Sequence, residues 1–170
     1  MKSLFGALCT AVFVAAGSTA IAGEFDTLVP MVDKGAATYY VDGHLTGYGD
    51  VTLMVDTGSG YMTINEEALA VLNGRKKARY VRKLRGVLAN GSEVIVPVYR
   101  VSVNIGGNCQ LQNVEAAVFP GKTRFILGLN ALKQASPFIF STAPPQLVLS
   151  HCNGDAADRT PVQATAAAQL

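Results

Sequence analysis

Val51-Thr52-Leu53-Met54-Val55-Asp56-Thr57-Gly58-Ser59-Gly60 is the stretch on which the architecture turns. Its first five residues form an apolar run of the kind that makes a buried strand, and Asp-Thr-Gly-Ser-Gly has the turn-forming content to end it. A carboxylate at the tip of a buried strand is costly unless its neighbours hydrogen-bond it. Thr57, Ser59 and the amides of Gly58 and Gly60 are at hand to do so. The pattern occurs once in 170 residues. Chemistry that needs two such carboxylates sharing a proton therefore needs a second copy of the chain.

Outward from this loop the sequence reads as short strands punctuated by turns. On its N-terminal side Ala37–Val41 is strand-like, and Asp42-Gly43 reads as a turn after it. On its C-terminal side Thr63–Leu72 carries early acids with Ile64, Leu69 and Leu72, which predicts a short helix stopped by Asn73-Gly74. Arg79–Leu88 and Glu93–Val103 predict two strands joined at Ala89-Asn90-Gly91-Ser92, where Asn-Gly is a strong hairpin signal. Asn104–Asn108 reads as a further turn, and Val114–Phe119 as a strand ended by Pro120-Gly121. Phe125-Ile126-Leu127-Gly128 is an apolar strand running into a helix over Asn130–Gln134, and Phe138–Phe140 with Leu147–Leu149 form a last hairpin around Pro144-Pro145. The fold class is all-β, with one or two short helices.

The two ends read differently from the middle. Lys2, an apolar stretch from Leu4 to Ala16 and then Ala20-Ile21-Ala22 have the layout of a secretory leader, so residues 1–22 are expected to be a signal peptide and the protein periplasmic or secreted. The apolar stretch is shorter than the ~20 residues a membrane span needs. Membrane association is expected only if this segment stays uncleaved. Residues 153–170 are rich in Ala, Thr, Gln and Asp without a core pattern and read as a flexible tail. Between them lies one domain, 23–152, near neutral in charge, since the whole chain carries 14 basic and 12 acidic residues. Cys109 and Cys152, an even pair in an exported chain, point to a disulfide.

In its central region the chain resembles the retropepsin-like aspartic proteases, the single-lobe relatives of pepsin that include retroviral proteases and bacterial exported homologues. Three elements carry the resemblance in order: Val55-Asp56-Thr57-Gly58-Ser59, the hairpin Leu88-Ala89-Asn90-Gly91-Ser92 where that family has its flap, and Ile126-Leu127-Gly128 before a short helix. The resemblance covers roughly Thr38 to Leu149. The resemblance implies a retropepsin-like acid-protease barrel with one lobe per chain, a homodimer, and an extended peptide or protein substrate. It implies that Asp56 from each chain forms the catalytic pair, with no metal and no cofactor. Thr57 is implied to bond across the dimer, Gly58 to give an amide to the carboxylate, and Ser59 to bond the outer carboxylate oxygen. Gly128 is implied to let its strand pass close behind the Asp loop, and the Leu88–Ser92 hairpin to close over substrate. The chain departs from the family at Gly60 and at Leu129, where retroviral enzymes usually carry a dimer-tying arginine. A second reading, from a different class, is a catalytically silent periplasmic peptide-binding or assembly module with the same dimeric fold.

The chemistry of the pair agrees with the first reading. Two like carboxylates in contact do not both ionise cheaply, so they hold one proton between them. Such a pair acts as base toward a bound water and as acid toward a peptide carbonyl. Other constellations are weaker. Gly58-Ser59-Gly60 is not the Gly-x-Ser-x-Gly of serine hydrolases, and His44 and His151 have no evident partners. Too few ligands cluster for zinc. Arg75, Lys76, Lys77, Arg79, Arg82, Lys83 and Arg85 crowd into eleven positions with no acid between Glu67 and Glu93. That run reads as a solvated edge that discourages strand pairing, or as a patch for an anionic substrate or membrane surface. Tyr80 is its only aromatic, so no nucleic-acid partner is expected.

Overall fold

The computed structural model describes residues 27–88 and 90–152. The expected signal peptide, the expected tail and Ala89 of the hairpin lie outside the described residues. Eleven strands and two helices are seen: β1 (Thr27–Pro30), β2 (Val32–Asp33), β3 (Tyr39–Leu45), β4 (Gly49–Asp56), β5 (Met62–Asn65), α1 (Glu66–Gly74), β6 (Arg79–Val87), β7 (Glu93–Ile105), β8 (Cys109–Phe119), β9 (Phe125–Gly128), α2 (Leu129–Gln134), β10 (Phe138–Thr142) and β11 (Pro145–Leu149). The fold is all-β, as the strand-and-turn pattern predicted.

One sheet runs β2-β3-β4-β9-β5-β8-β7-β6 and curls until β3 pairs with the far end of β7, Gly43 opposite Ile105. The closed part is a barrel filled by Leu45, Leu53, Ile64, Ile105, Leu111 and Leu127, each with no exposed surface. Burying such side chains contributes roughly 1.5–3 kcal/mol each before chain entropy is set against it. A second sheet, β1-β11-β10, packs on the same core through Val29, Leu147 and Leu149.

The topology around β4 positions the site. β4 and β9 run parallel, with Val55 opposite Leu127 and Asp56 opposite Gly128. β5 lies on the other side of β9 and pairs with it antiparallel through Thr63 and Ile126. The chain therefore leaves β4 at Asp56, arches over the end of β9 and returns as β5. The Asp-Thr-Gly loop is that arch.

Several sequence expectations are corrected. Asp42-Gly43 is not a turn but the middle of β3, with Gly43 paired to Val51 on one side and Ile105 on the other. A Cβ at Gly43 would stand 2.8 Å from Leu53 Cδ1 and 3.0 Å from the Asn104 carbonyl oxygen, so the glycine serves close strand packing at the barrel seam. Thr63 and Ile64 are strand rather than helix. They are inserted between β8 and β9, and the helix starts only after Asn65, whose side chain caps it by accepting from Ala68 N at 2.9 Å. β1 and β2 precede the first strand that the sequence pattern predicted, and β1 finds its partner in β11 at the far end of the described chain. The turn expected over Asn104–Asn108 shortens to Gly106–Asn108, and β8 begins at Cys109.

Cys109, at the start of β8, is bonded to Cys152, their sulfurs 2.07 Å apart. Among the described residues no helix is long and apolar enough to cross a membrane.

Candidate active site

Asp56 sits half-buried where β4 ends, and its position follows from the strand: Leu53 and Val55 turn into the core, so Asp56 falls on the alternate face. Its Oδ1 accepts from the Gly58 amide at 2.9 Å, which fixes the carboxylate against the loop. Thr57 and Gly58 are exposed. Ser59 departs from expectation. Its hydroxyl donates to the Tyr61 carbonyl at 2.9 Å rather than to Asp56, so it braces the returning arm of the arch. The Ser59 carbonyl in turn accepts from Leu129 N at 2.7 Å, joining the loop to the first residue of α2.

Gly128 occupies the space inside the arch. A Cβ there would stand 2.2 Å from the Tyr61 carbonyl oxygen and 2.4 Å from its carbon, contacts no side chain survives. Ile126 and Leu127 anchor the same strand, Leu127 fully buried and Ile126 lining the cleft. Sequence reasoning passed over Asn130, the residue that fastens this assembly. Its Oδ1 accepts from Met62 N at 2.6 Å and its Nδ2 donates to the Glu115 carbonyl at 2.6 Å, linking α2 to β5 and β8. An Asn in the first turn of a short helix beside a glycine was the available signal, but its partners are distant in sequence.

Above Asp56 opens a cleft of about 740 Å³ lined by Ser59, Tyr61, Thr63, Leu84, Val87, Leu88, Phe119 and Ile126 among others. Asp56 is the only carboxylate lining it among the described residues. Its roof is the β6–β7 hairpin. β8 pairs with β7 only from Val98 onward, whereas β6 follows β7 out to Glu93, so residues 83–87 and 93–97 project as a two-stranded ribbon. At the tip the Leu88 amide donates to the Ser92 carbonyl and Gly91 N to the Leu88 carbonyl, both at 2.8 Å. Asn90 Oδ1 accepts from Ser92 N at 3.0 Å and from Ser92 Oγ at 2.7 Å.

The ribbon is moored at its base by groups the sequence did not pair. Arg82 on β6 donates to Tyr61 Oη at 2.9 Å and meets Glu115 on β8 at 2.8 Å. The hydrogen bond from Arg82 holds the Glu115 carboxyl below its usual range, against the opposing effect of partial burial. The same bond, with that to Tyr61, raises the Arg82 guanidinium further above its ordinary value.

A family model described as "gag-polyprotein putative aspartyl protease" matches residues 41–134. Among solved structures the chain is similar to a retropepsin-like aspartic protease from Rickettsia conorii, with 21% identity and a TM-score of 0.50 over 72% of this chain and 88% of that one. It is also similar to the retroviral protease-like domain of Ddi1 from Leishmania major, with 16% identity and a TM-score of 0.46 over 71% of this chain and 100% of that one. No curated protein matches the sequence. The barrel is thus a retropepsin-like protease fold.

Proposed function

Since the chain belongs to the gag-polyprotein aspartyl protease family, of retropepsin-like fold, we propose that it is an aspartic endopeptidase that works as a homodimer with Asp56 from each copy. One observation carries this reading: the cleft of about 740 Å³ has, among the described residues, a single carboxylate, at the tip of β4. One carboxylate is half of a proton-sharing pair, and a second copy of the chain supplies the other half. The pair then takes a proton from water as it attacks the peptide carbonyl, and gives one to the carbonyl oxygen. In this reading Thr57, exposed on the single chain, bonds across the two loops. Val87 and Leu88 lay apolar surface over the bound peptide, and lowering the ribbon would exclude water from the reacting carbonyl. Export, through the leader at residues 1–22, belongs to the same proposal. The Cys109–Cys152 disulfide supports it, since such bonds persist in oxidising compartments.

The test is purified protein lacking the leader, presented with a diverse peptide library at acid and neutral pH, beside Asp56→Asn. Hydrolysis by the unmodified protein alone, sensitive to a pepstatin-type inhibitor, is the expected result. Hydrolysis retained by Asp56→Asn overturns the mechanism. A dimer that holds peptides and cleaves none is instead the silent binding module.

A further inference from the structure

Arg79, on the edge strand β6, and Arg100, on β7, line a hollow beside the Asp56 cleft. A cavity of about 670 Å³ is bordered by Gly60, Tyr61, Arg79, Arg100, Glu115 and Gln134, among others. Gly60 and Tyr61 also line the Asp56 cleft, so the two spaces adjoin across the returning arm of the Asp loop. On the far side, Arg79 and Arg100 border a shallower hollow of about 240 Å³ that Lys76 and Lys77 share. Strand register builds the arrangement. Arg79, Arg100 and Glu115 lie directly opposite one another across β6, β7 and β8, and so face the same way.

Two arginines side by side on a sheet repel, and such a pair lowers stability unless an anion compensates it. Among the described residues Glu115 is the one anion lining the cavity, and it is committed to Arg82 at 2.8 Å, with Arg100 at 3.8 Å. Arg79 has no carboxylate within ion-pair distance among the described residues. The fold thus carries uncompensated positive charge in a concavity. A second observation is independent of charge. Gln134, on the wall of the same cavity, has a buried side-chain oxygen with no hydrogen-bond partner among the described residues. A buried acceptor left open is costly and calls for a donor.

We propose that this cavity is a specificity subsite for an acidic side chain of the peptide, Asp or Glu, placed some residues away from the scissile bond. The carboxylate takes the guanidinium groups of Arg79 and Arg100, for which such planar donors are suited. The Gln134 oxygen is closed to solvent, so it accepts a peptide N–H only once its side chain turns toward the cavity. Lys76 and Lys77 extend the attraction outward and favour substrates with further acids in that direction. A hollow that shares the wall formed by Gly60 and Tyr61 with the Asp56 cleft suits a side chain on an extended chain better than the flat surface of a bilayer. The occupant's identity as a peptide rests on the protease reading above.

The test uses the full chain as Asp56→Asn, with labelled peptides spanning the cleft that differ only by Glu in place of Gln, one position at a time. Fluorescence anisotropy reads binding, and the same peptides are given to the unsubstituted chain for kcat/KM. At one or two positions the Glu peptide is expected to bind roughly tenfold more tightly, the value of one charge-assisted pair. That advantage shrinks in high salt, disappears in Arg79→Gln and Arg100→Gln, and turns into a preference for the Gln peptide in Arg79→Glu. Because each figure is a ratio within one variant, a partly folded variant does not imitate it. Equal affinities for Glu and Gln peptides at every position, or an acid preference that survives both Arg→Gln changes, overturns the proposal. So does Arg79-dependent pelleting with anionic vesicles in the absence of any peptide preference. Arg79-dependent acid preference without cleavage leaves the subsite standing and removes the protease. Cleavage without acid preference does the reverse.

Discussion

At the scale of single residues, two glycines in the same loop system carry opposite expectations. Gly128→Ala drives a methyl to within 2.2 Å of the Tyr61 carbonyl oxygen, and backbone, unlike a flexible side chain, has nowhere to go. Overpacking of this kind costs about 1–3 kcal/mol and sometimes more, so thermal unfolding of Gly128→Ala is expected to occur well below that of the unsubstituted protein. Nothing lies within 4 Å of a Cβ built on Gly60, so Gly60→Ala is expected to fall within about 0.5 kcal/mol of the parent in the same melt. Asn130→Ala leaves the Met62 amide and the Glu115 carbonyl without their side-chain partners. About 2 kcal/mol is the expected loss, read from the urea midpoint. Asp56 and Gly58 were recognisable from the sequence because the loop's chemistry is local, and Gly128 only through the family resemblance. Asn130 was not, since its value lies in two backbone groups on other strands.

At the scale of elements, the β6–β7 ribbon combines a free tip with a moored base. Arg82 holds it to Tyr61 on the Asp loop and to Glu115 on β8. The Glu115 carboxyl titrates below its ordinary value in the folded chain because Arg82 bonds its charged form. A carboxylate depressed in this way contributes stability above its unfolded pKa, and that contribution is lost as pH falls through the folded one. Between about pH 5 and about pH 3 the parent is therefore expected to lose more stability than Glu115→Gln, which lacks the titrating group. Urea midpoints of both proteins across that range check this, and parallel pH profiles would remove Glu115 from the account. The hairpin itself was legible from Asn90-Gly91 between two strand-like runs. Its mooring was not, because Arg82 read as one cation in a crowded run. The helix expected from Thr63 failed for a related reason: the pairing of β5 with β8 and β9 overrides the local pattern of Met62–Asn65.

At the scale of the molecule, β8 and the end of the described chain are tied through Cys109–Cys152, 43 residues apart in sequence. Closing a loop of that length is worth about 4 kcal/mol in the chain-entropy description. Cys109→Ser with Cys152→Ser is expected to lower the urea midpoint accordingly, in a melt compared with the oxidised parent. Activity that depends on two copies of Asp56 also has a concentration signature. Specific activity is expected to fall on dilution through the dimer's dissociation range, as followed by sedimentation, and a specific activity constant through that range would place both carboxylates elsewhere.

The Asp-Thr-Gly turn at the end of an apolar strand and the all-β class were present in the order of residues, because turn chemistry and strand alternation are properties of a few neighbouring positions. Whether Asp42-Gly43 turns or pairs, where α1 begins, and which strand covers β11 depended on partners far along the chain. So did the hollow of Arg79 and Arg100, since like charges 21 positions apart become neighbours only when β6 and β7 adopt one register. Contacts of that kind have no trace in a local stretch of sequence; closure of the barrel creates them.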